Sequence, residues 1–440
     1  MTKFDASLPR RISALRRRIS YAVLIGCIFL RIFYNKEKNA RFGQNGGTMR
    51  PRFQGLSLLV LLLLLWGCAP TPAAPTQTAA AAPQTIPVET APPETAPPET
   101  RPDPLASLLD AMTLEQKVGQ MFLARCPEEY APELASQYQL GGYLLFARDF
   151  DERSHEQVAD TIAGYQSAVT IPMFIAVDEE GGTVNRVSRN PLLRPEPFAS
   201  PQDLYRQGGL ERIVEDTKEK CSLLSGLGIN LNLAPVCDLS QNPDDFIYDR
   251  SFGQDARHTA AYVREVVQTM TRSRMGSALK HFPGYGGNVD THTGIAYDHR
   301  PCETFRSEDF LPFRAGIESG AGMVLVSHNV VVCMDDRLPA SLSPEVHRVL
   351  REELGFGGVI LTDDLVMDGA GEFGSAEEIA VLAVQAGNDL LCSSEFELQI
   401  PAVLDAVRSG EIPMEQIDRS VLRILRLKQS LGLAVTPAHG

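Results

Sequence analysis

Residues 358–365 read "GVILTDDL", an apolar run of strand length that ends directly in Asp363 and Asp364. Alternate side chains of a strand share one face, so Val359, Leu361 and Asp363 point the same way. Asp364 points the other way and is expected to cap the following helix. The pattern predicts a buried strand that presents Asp363 at its carboxyl end, where backbone structure holds it firmly.

Including this one, eight similar apolar runs follow one another from about Leu105 onward, and segments of helical periodicity alternate with them. In chain order these runs are "GQMFLAR", "GGYLLFAR", "MFIAVD", "NLNLAP", "GSALKHF" and "MVLVSH", with "GVILTDDL" seventh and "DLLCS" last. The helical patterns include "SHEQVADTIAGYQSAV", "LERIVEDTKEKCSLLSGLG", "RHTAAYVREVVQTMTRSRMG" and "SPEVHRVLREELGF". Eight strand–helix units predict an α/β fold, a single-domain (β/α)8 barrel of the TIM type.

A doubly wound open sheet is the competing fold, and it needs a glycine-rich phosphate turn after its first strand. The corresponding stretch, "GQMFLARCPEE", has none. A barrel instead needs its functional residues at the carboxyl ends of its strands. Polar clusters stand there: "DEEGGTVNR" after the third run, "APVCDL" after the fourth, "KHFPGYGG" at the end of the fifth and "TDDL" in the seventh.

The charge of the 440-residue chain is unevenly distributed. Its 41 Lys+Arg and 55 Asp+Glu give a formal net charge of −14. Residues 1–67 hold 12 of the basic and 2 of the acidic side chains, which leaves 29 basic and 53 acidic ones, a formal charge of −24. A body this acidic is a poor partner for nucleic acid.

The first hundred residues have the composition of targeting and linker segments. Residues 1–48 form an upstream extension with an interrupted apolar stretch, and either Met1 or Met49 could start translation. Residues 49–68 combine a basic start, the apolar run "GLSLLVLLLLLWGC" and a small residue before Cys68, as in a lipoprotein signal peptide whose Cys68 becomes lipidated. A plain membrane anchor and ordinary cleavage are the alternatives. Residues 69–104 are rich in Pro, Thr and Ala and predict a disordered tether.

Six cysteines lie in the body, and none forms a CxxC pair: Cys126, Cys221, Cys237, Cys302, Cys333 and Cys392. Several fall in apolar strand-like runs, where buried free thiols are expected. The spacing indicates neither a disulfide framework nor a zinc site. Asp, Glu and His are scattered, with no H-E-x-x-H or EF-hand pattern, so no metal and no cofactor are expected.

A glycine-rich loop follows the fifth run and carries "KHFPGYGGNVDTHTG", residues 280–294. Lys280 and His281 end the strand, where a charge needs a partner, either a hydroxyl-rich ligand or an internal salt bridge. Asp290 stands two residues before His292. A carboxylate that accepts from one ring nitrogen makes the other a proton donor and acceptor near neutral pH.

Further candidates lie at other strand ends. Asp178 could hold vicinal hydroxyls of a sugar or pair with Arg186 or Arg250. His328, which ends the sixth run, could contact a ligand or be a satisfied core histidine.

Together these motifs resemble glycoside hydrolase family 3, and within it the single-domain bacterial β-N-acetylhexosaminidases. The resemblance runs from Met112 to Leu433, within a body taken as residues 105–435. The motifs that carry it are "MTLEQKVGQMF", "LFARD", "AVDEEGGTVNR", "NLAPVCDL", "RSFGQD", "KHFPGYG", "DTH", "LPASLSP", "LTDDLVMDGA" and "RILRLKQSLGL". Two features depart from the family pattern: Tyr285 replaces a usual histidine, and the loop from Lys280 to Asp290 is one residue shorter than the commonest form.

The resemblance implies a role for each matched residue. Asp363 is the nucleophile and His292 the general acid/base, with Asp290 orienting His292. The residues that hold the terminal sugar are Asp178, Arg186, Arg250, Lys280 and His281. A retaining mechanism with a covalent glycosyl-enzyme is implied, although the usual retaining pair consists of two carboxylates.

The function expected from this resemblance is exo-hydrolysis of terminal β-linked N-acetylglucosamine from cell-wall or related glycans. The rivals are a β-glucosidase or β-xylosidase, a β-N-acetylglucosaminide phosphorylase, and a sugar-binding lipoprotein without catalysis. The chain is expected to be a monomer that acts outside the cytoplasm, anchored to the bacterial cell membrane, with a carbohydrate as its partner.

Overall fold

The barrel predicted by the eight apolar runs is confirmed. A computed structural model of the chain describes residues 104–288 and 294–435. Its main sheet has eight strands, and every neighbouring pair is parallel. The strand order is β10-β1-β2-β3-β4-β5-β7-β9, and a parallel bridge between Leu361 and Leu390 brings the two edges together. The predicted (β/α)8 barrel therefore forms, with its strands in chain order.

The strands are β1 (Phe122–Arg125), β2 (Gly142–Leu145), β3 (Phe174–Val177), β4 (Leu231–Asn232), β5 (Gly276–Phe282), β6 (Tyr297–Asp298), β7 (Met323–Val326), β8 (Val330–Val331), β9 (Val359–Thr362) and β10 (Leu391–Ser393). The helices are α1 (Pro104–Ala111), α2 (Leu114–Gln120), α3 (Ala131–Tyr138), α4 (His155–Ser167), α5 (Pro201–Gly226), α6 (Ala256–Arg272), α7 (Phe310–Glu318), α8 (Pro344–Arg348), α9 (Ala376–Ala386), α10 (Phe396–Ser409) and α11 (Met414–Ser430). Short helical turns cover Ala147–Asp149, Cys302–Thr304, Phe305–Asp309, Ala340–Leu342, Val349–Glu353 and Asp368–Gly371.

The starts of the helices follow local signals in the sequence. Ser154 caps α4 by accepting a hydrogen bond from the Gln157 backbone N–H, while the Gln157 side chain accepts one from the Ser154 backbone N–H. This reciprocal pair satisfies two N–H groups that the first helical turn leaves open. Helix α5 bends at Gly208 and Gly209, whose backbone angles are not helical. The helical pattern in the sequence begins directly after this bend.

The barrel strands are short apolar runs buried on both faces. Strands β2, β3, β7 and β9 contain buried residues only. Such strands lack polar alternation because side chains fill the barrel on one face and helices cover the other. The strands therefore form a rigid frame whose carboxyl ends are fixed in position.

One cysteine prediction is wrong and the other is confirmed. Cys126, Cys221, Cys237 and Cys392 are free and buried, as expected. Cys302 and Cys333 are joined by a disulfide, with their Cα atoms 5.5 Å apart. Both lie in connections beside the small parallel pair β6–β8 rather than in barrel strands. Their spacing of 31 residues gave no sign of this, because only the fold brings the two connections together.

None of the helices within residues 104–288 and 294–435 is long and apolar enough to cross a bilayer. The predicted extension, signal peptide and most of the tether, residues 1–103, lie outside the described residues.

Candidate active site

The predicted polar clusters meet at the carboxyl ends of the barrel strands. Asp178 directly follows β3, and Asp363 directly follows β9. Lys280 and His281 lie near the carboxyl end of β5. Arg250 lies in the long connection between β4 and α6. Parallel strands place these positions at one end of the barrel, so the sequence pattern and the fold agree on where a site can form.

Lys280 is almost fully buried and is held by two carboxylates. Its Nζ lies 2.6 Å from Asp178 Oδ1 and 2.6 Å from Glu180 Oε1. Burial opposes the charge of Lys280, but Asp178 and Glu180 outweigh it and raise the pKa of the ammonium group. The internal salt bridge considered for Lys280 thus exists, and it fixes the Asp178 carboxylate at the barrel mouth.

Arg250 binds Glu180 with two parallel hydrogen bonds. Arg250 Nε donates to Glu180 Oε2 at 3.0 Å, and Nη2 donates to Oε1 at 2.8 Å. Burial opposes ionisation of Glu180, yet the charges of Arg250 and Lys280 prevail and hold the pKa of this carboxyl well below its usual range. Such a bidentate pair fixes both orientation and charge. Asp178 therefore pairs with Lys280, and Arg250 pairs with Glu180 rather than with Asp178.

The tautomer of His281 follows from its two neighbours. Arg250 Nη2 lies 3.2 Å from His281 Nε2, and a guanidinium can only donate. His281 Nδ1 then carries the proton and donates to Asp238 Oδ2 at 2.7 Å. Asp238 also accepts from the backbone N–H groups of His281 and Tyr285. The Tyr285 ring packs edge-on against the imidazole with centroids 5.4 Å apart, so this departure from the family pattern braces His281.

The loop that carries Arg186 is held by a buried carboxylate. Glu179 accepts hydrogen bonds from the backbone N–H groups of Arg186, Val187 and Ser188. The Arg186 guanidinium lies against the Phe146 ring, 5.7 Å from its centroid. No hydrogen bond or ion pair joins this guanidinium to Asp178 or to any other described side chain. The pairing considered between Asp178 and Arg186 is therefore absent from the described residues.

Asp363 and Asp364 have different surroundings. Asp363 is half-buried, its backbone N–H donates to Val326 O at 3.0 Å, and its Oδ1 accepts from the Asp364 N–H. The Asp364 carboxylate accepts from Ser394 Oγ at 2.7 Å and from the Val366 N–H. It therefore stabilises the turn after β9, and the expectation that it caps a helix is wrong because the next helical turn begins after Met367.

His328 is a fully buried histidine with hydrogen-bond partners on both ring nitrogens. Its Nε2 lies 3.0 Å from the Asp364 carbonyl oxygen, so Nε2 donates. Its Nδ1 lies 2.7 Å from Ser341 Oγ. Of the two roles considered for His328, these contacts favour a core histidine that holds the turn behind Asp363.

The buried thiol of Cys392, on β10, is surrounded by negative charges of the barrel mouth. Burial chiefly, and then the negative charges of Asp364, Asp363 and Asp178, raise the pKa of the Cys392 thiol well above its ordinary value. Asp363 and Asp178, which the strand order separates by half the barrel, therefore act on one buried group.

Asp290, His292 and Cys68, named from the sequence, lie outside the described residues. Sequence reasoning missed two residues that organise the described site, Glu180 and Asp238. Both stand in polar clusters that follow apolar runs, so their position was a signal. Among the described residues no group of three or more His, Cys, Asp or Glu side chains could hold a metal ion.

Comparisons with known proteins identify the family of the chain. Residues 113–427 match the model of the glycosyl hydrolase family 3 N-terminal domain. The chain is 34% identical over 263 residues to a beta-hexosaminidase of Xanthomonas campestris pv. campestris, covering 58% of this chain and 78% of that protein. It is 32% identical over 312 residues to the beta-hexosaminidase LpqI of Mycobacterium tuberculosis, covering 68% and 78%.

Two solved structures have the same fold. A family 3 β-N-acetylglucosaminidase from Paenibacillus sp. str. FPU-7 superimposes with a TM-score of 0.69 at 34% identity, covering 75% of this chain. The chain spans 65% of the length of that enzyme. M. tuberculosis LpqI superimposes with a TM-score of 0.67 at 27% identity, covering 74% of this chain and 96% of its own. The family predicted from the motifs is thereby confirmed: the chain belongs to glycosyl hydrolase family 3.

Proposed function

We propose that the protein is an exo-acting, retaining β-N-acetylhexosaminidase that removes terminal β-linked N-acetylglucosamine from cell-wall or related glycans. The observation that carries the proposal is the pairing of two features across the barrel mouth. Asp363 follows β9 on one side, and the cluster of Asp178, Lys280, Arg250 and His281 lies on the other. The names of the relatives, beta-hexosaminidase and β-N-acetylglucosaminidase, support the same activity.

The cluster is suited to holding a sugar ring. Asp178 uses Oδ1 to accept from Lys280 and remains partly exposed, with 17% of its side chain accessible. A carboxylate fixed in this way can accept hydrogen bonds from ring hydroxyls through its other oxygen. The salt bridges of Lys280 with Asp178 and Glu180 fix the Asp178 carboxylate before substrate arrives. The bidentate bonds between Arg250 and Glu180 hold Glu180 in turn, as precise positioning requires.

In the proposed reaction Asp363 attacks the anomeric carbon while His292, oriented by Asp290, protonates the leaving oxygen. The glycosidic bond breaks and a covalent glycosyl-enzyme forms. His292 then takes a proton from water, the water oxygen bonds to the anomeric carbon, and Asp363 is released. A histidine donor suits this site because it adds no second negative charge beside the nucleophile.

The test is release of nitrophenol from paired β-N-acetylglucosaminide and β-glucoside substrates by the full-length chain. We expect a preference for the N-acetyl substrate that Asp363→Ala abolishes. Asp290→Ala should lower kcat by about 10²–10⁴-fold, the usual worth of acid/base catalysis. The matched control is Asp405→Ala, an exposed carboxylate on α10, which should leave the rate unchanged.

Four outcomes would contradict the proposal. Turnover that survives Asp363→Ala would remove the nucleophile assignment, and an unchanged rate in Asp290→Ala would remove the acid/base pair. A rate that rises with phosphate concentration would indicate a phosphorylase instead. Well-folded protein that binds N-acetylglucosamine without cleaving either substrate would indicate a binding protein.

We also propose that Cys68 carries a lipid that anchors the domain outside the cytoplasm, with residues 69–104 as the tether. The basic and apolar pattern of residues 49–68 supports this proposal. So does the disulfide between Cys302 and Cys333, since stable disulfides are typical of oxidising compartments. Fractionation of cells should find the protein with membranes, and Cys68→Ser should prevent incorporation of labelled fatty acid. Equal labelling of the variant would refute the lipid site.

A further inference from the structure

A cluster of guanidiniums lies at the opposite end of the barrel from the candidate active site. Arg351 Nη1 donates to the carbonyl oxygen of Gly358, the residue before β9, at 2.6 Å. Asp389, which precedes β10, accepts from the backbone N–H of Ile360 at 2.9 Å. In a parallel barrel the amino ends of the strands lie at one end and the carboxyl ends at the other. The proposed mechanism therefore uses none of these residues.

Asp389 is fully buried, and hydrogen-bond donors occupy both of its oxygens. Oδ1 accepts from Arg423 Nη1 at 2.8 Å and from Ser420 Oγ at 2.9 Å. Oδ2 accepts from Arg351 Nη2 and from the Ile360 backbone N–H. One buried carboxylate thus compensates two guanidiniums, and one positive charge is left over.

The pKa of Arg351 reflects this excess of positive charge. Burial chiefly lowers this pKa, Asp389 raises it, and the charge of Arg423 lowers it again, with a net downward shift. Arg250, at the other end of the barrel, is also buried beside a carboxylate. There burial opposes the charge too, but Glu180 prevails and the pKa of Arg250 is raised. The negative charge around Arg351 is therefore too small for the cations that surround it.

Two guanidiniums on one face of α11 keep free donors. Arg423 is 30% exposed, and Nη1 is its only nitrogen with a hydrogen-bond partner among the described residues. Arg419 is exposed and has no hydrogen bond or ion pair in the described part of the chain. Residues four apart on a helix lie on the same face, so Arg419 and Arg423 point the same way.

These side chains line an open groove of about 350 Å³ between α11, the end of α9 and the segment 344–352. We call it the arginine groove, and its charged lining residues are Arg348, Arg351, Glu352, Arg419 and Arg423. Arg348 is neutralised by Glu345 and Glu352. The other three guanidiniums face one carboxylate, that of Asp389. The arginine groove therefore keeps an excess of two positive charges, in a body whose formal charge is −24.

A buried imidazole also lines the arginine groove. His347 is 3% exposed, and its Nδ1 donates to the Ser343 carbonyl oxygen at 2.8 Å. Its Nε2 is buried and has no hydrogen-bond partner among the described residues. Buried polar atoms are nearly always satisfied by protein, ordered water or a bound group. The wall of the groove thus contains an incompletely satisfied polar atom, as expected beside a polar ligand.

We propose that the arginine groove binds a phosphate group, either inorganic phosphate or a phosphate monoester. The planar paired donors of a guanidinium match phosphate oxygens. A phosphate monoester carries a charge of about −1.5 to −2 near pH 7, which compensates the excess of two positive charges better than one carboxylate does. The volume of the groove is that of a small-molecule site, so it also has room for an organic substituent. The inference is independent of the proposed function.

Two sources could supply this phosphate, a soluble monoester or the terminal phosphate of a lipid headgroup. Helix α1, with which the described chain begins, packs against α11, the helix that carries Arg419 and Arg423. A lipid tether that joins the domain there would bring this end of the barrel towards a membrane. The experiment therefore includes both sources.

The first arm is calorimetric titration of the full-length chain with glycerol 3-phosphate and with inorganic phosphate, at constant ionic strength and with glycerol and chloride as blanks. We expect one phosphate to bind per chain. Arg423→Met should weaken binding about 10-fold or more, the usual effect of losing a hydrogen bond between charged groups. Arg419→Met should weaken it about 2- to 5-fold, because an exposed charge is screened by solvent. The matched control is Arg272→Met, an exposed arginine on α6, which should bind as the parent does.

Two variants separate binding from folding. Arg419 contacts no described partner, so Arg419→Met should unfold at the same urea concentration as the parent. Arg423→Lys keeps the charge but loses the planar fork, so it should restore part of the affinity. All these variants should hydrolyse the N-acetylglucosaminide substrate as the parent does, since the groove lies at the other end of the barrel.

The second arm is sedimentation with vesicles of phosphatidic acid, compared with vesicles of phosphatidylcholine. The basic residues among residues 1–67 attract anionic vesicles equally in parent and variants. The result is therefore the difference between the parent and the Arg419→Met and Arg423→Met variants. A loss of sedimentation in these two variants only, without binding of glycerol 3-phosphate, would identify the lipid headgroup as the source.

Binding of glycerol 3-phosphate that Arg423→Met and Arg419→Met weaken would identify a soluble monoester. The inference is overturned if neither glycerol 3-phosphate, inorganic phosphate nor phosphatidic acid binds. It is overturned equally if the groove variants bind as the parent does, or if Arg272→Met weakens binding as much as they do. None of these outcomes depends on whether the chain hydrolyses an N-acetylglucosaminide, so failure of the proposed function would be seen separately.

Discussion

Asp363 and Asp364 are neighbouring carboxylates, and their surroundings predict opposite effects of substitution. Asp364 accepts from Ser394 Oγ and the Val366 N–H, so Asp364→Ala should lower the free energy of unfolding by about 1–2 kcal/mol. It should leave activity within about tenfold of the parent, because a positioning change costs less than loss of a nucleophile. Asp363→Ala should abolish turnover with little change in stability. Urea denaturation and initial rates measured on the same preparations check both expectations, and the reverse pattern would exchange the two roles.

Lys428 is a buried ammonium group without a carboxylate partner among the described residues. Its Nζ donates to Gln120 Oε1 at 2.6 Å and lies 5.0 Å from the Phe174 ring centroid. Burial lowers the pKa of Lys428 from 10.5 to about 7. Above pH 10.5 the lysine is neutral in both the folded and the unfolded chain. Below about pH 7 it is charged in both, so folding must bury the charge. The destabilisation is thus full below about pH 7 and disappears as pH rises through this window.

Lys428→Met should therefore flatten the pH dependence of stability. Between pH 7 and pH 9 the parent should gain about 2 kcal/mol from this lysine, and the variant should lack that gain. Denaturation midpoints of both proteins at pH 6, 7, 8 and 9 give the difference curve. A difference that stays constant across this range would show that Lys428 is not neutralised by burial. The variant also leaves Gln120 Oε1 without its donor, which lowers the free energy of unfolding by the same amount at every pH.

The sequence could name many residues of the described site but not their partners. Asp178, Lys280 and His281 were predicted because they interrupt or follow apolar runs. The pairing of Lys280 with Asp178 spans 102 residues, and that of Arg250 with Glu180 spans 70. Which cation meets which carboxylate depends on strand order and on loop paths. Local patterns carry no information about either.

The guanidinium of Arg300 holds the first part of the glycine-rich loop, residues 280–294, in place. Arg300 bonds both to Asp298 at the end of β6 and to Asp309, and its Nη2 donates to the Gly284 carbonyl oxygen. A Cβ on Gly286 would lie 2.6 Å from Arg300 Cζ, so the loop can approach this closely only with glycine there. Asn288 donates to Asp298 Oδ2 at 2.7 Å. The first part of the loop, from Gly284 to Asn288, is thereby tied to the ion pair of Arg300 and Asp298.

Arg300→Met should destabilise the fold by about 3 kcal/mol, because it leaves Asp298 and Asp309 buried without their cation. Burial chiefly raises the pKa of Asp309 to about 6, and Arg300 opposes that rise, so the variant should raise this pKa further. The matched control is Arg306→Met, which breaks an exposed pair with Glu353 and should cost at most about 1 kcal/mol. Urea denaturation of both variants at pH 7.5 makes the comparison. Equal losses would mean that the Arg300 cluster is no more than a surface ion pair.

Element types were more predictable than element lengths. All eight barrel strands lie within runs found in the sequence, because a buried parallel strand is apolar throughout. Strand β4, however, keeps only Leu231–Asn232 of its run, and β5 extends through Lys280 and His281 to Phe282. The charged residues of β5 remain in a strand because Asp178, Glu180 and Asp238 satisfy them. Such distant partners override local propensity.

The disulfide between Cys302 and Cys333 bears on both the stability of the domain and its proposed location. Cys302 and Cys333 close a loop of about 31 residues that contains α7 and β7. Closing such a loop restricts the unfolded chain and is worth about 3–4 kcal/mol in the chain-entropy model. Thiol reductants should therefore lower the Tm of the parent but not that of the double variant Cys302→Ser, Cys333→Ser, whose Tm should already be low.

The oxidation state of Cys302 and Cys333 in protein taken from cells tests where the protein resides. If the domain acts outside the cytoplasm, protein isolated from cell membranes should resist alkylation at Cys302 and Cys333 until it is reduced. The four buried thiols offer an internal control, since they should react without reductant once the chain is unfolded. Mass spectrometry of alkylated peptides distinguishes the two groups. Free thiols at Cys302 and Cys333 in freshly isolated protein would count against an oxidising compartment, and they would leave residues 49–68 as the sole support for export.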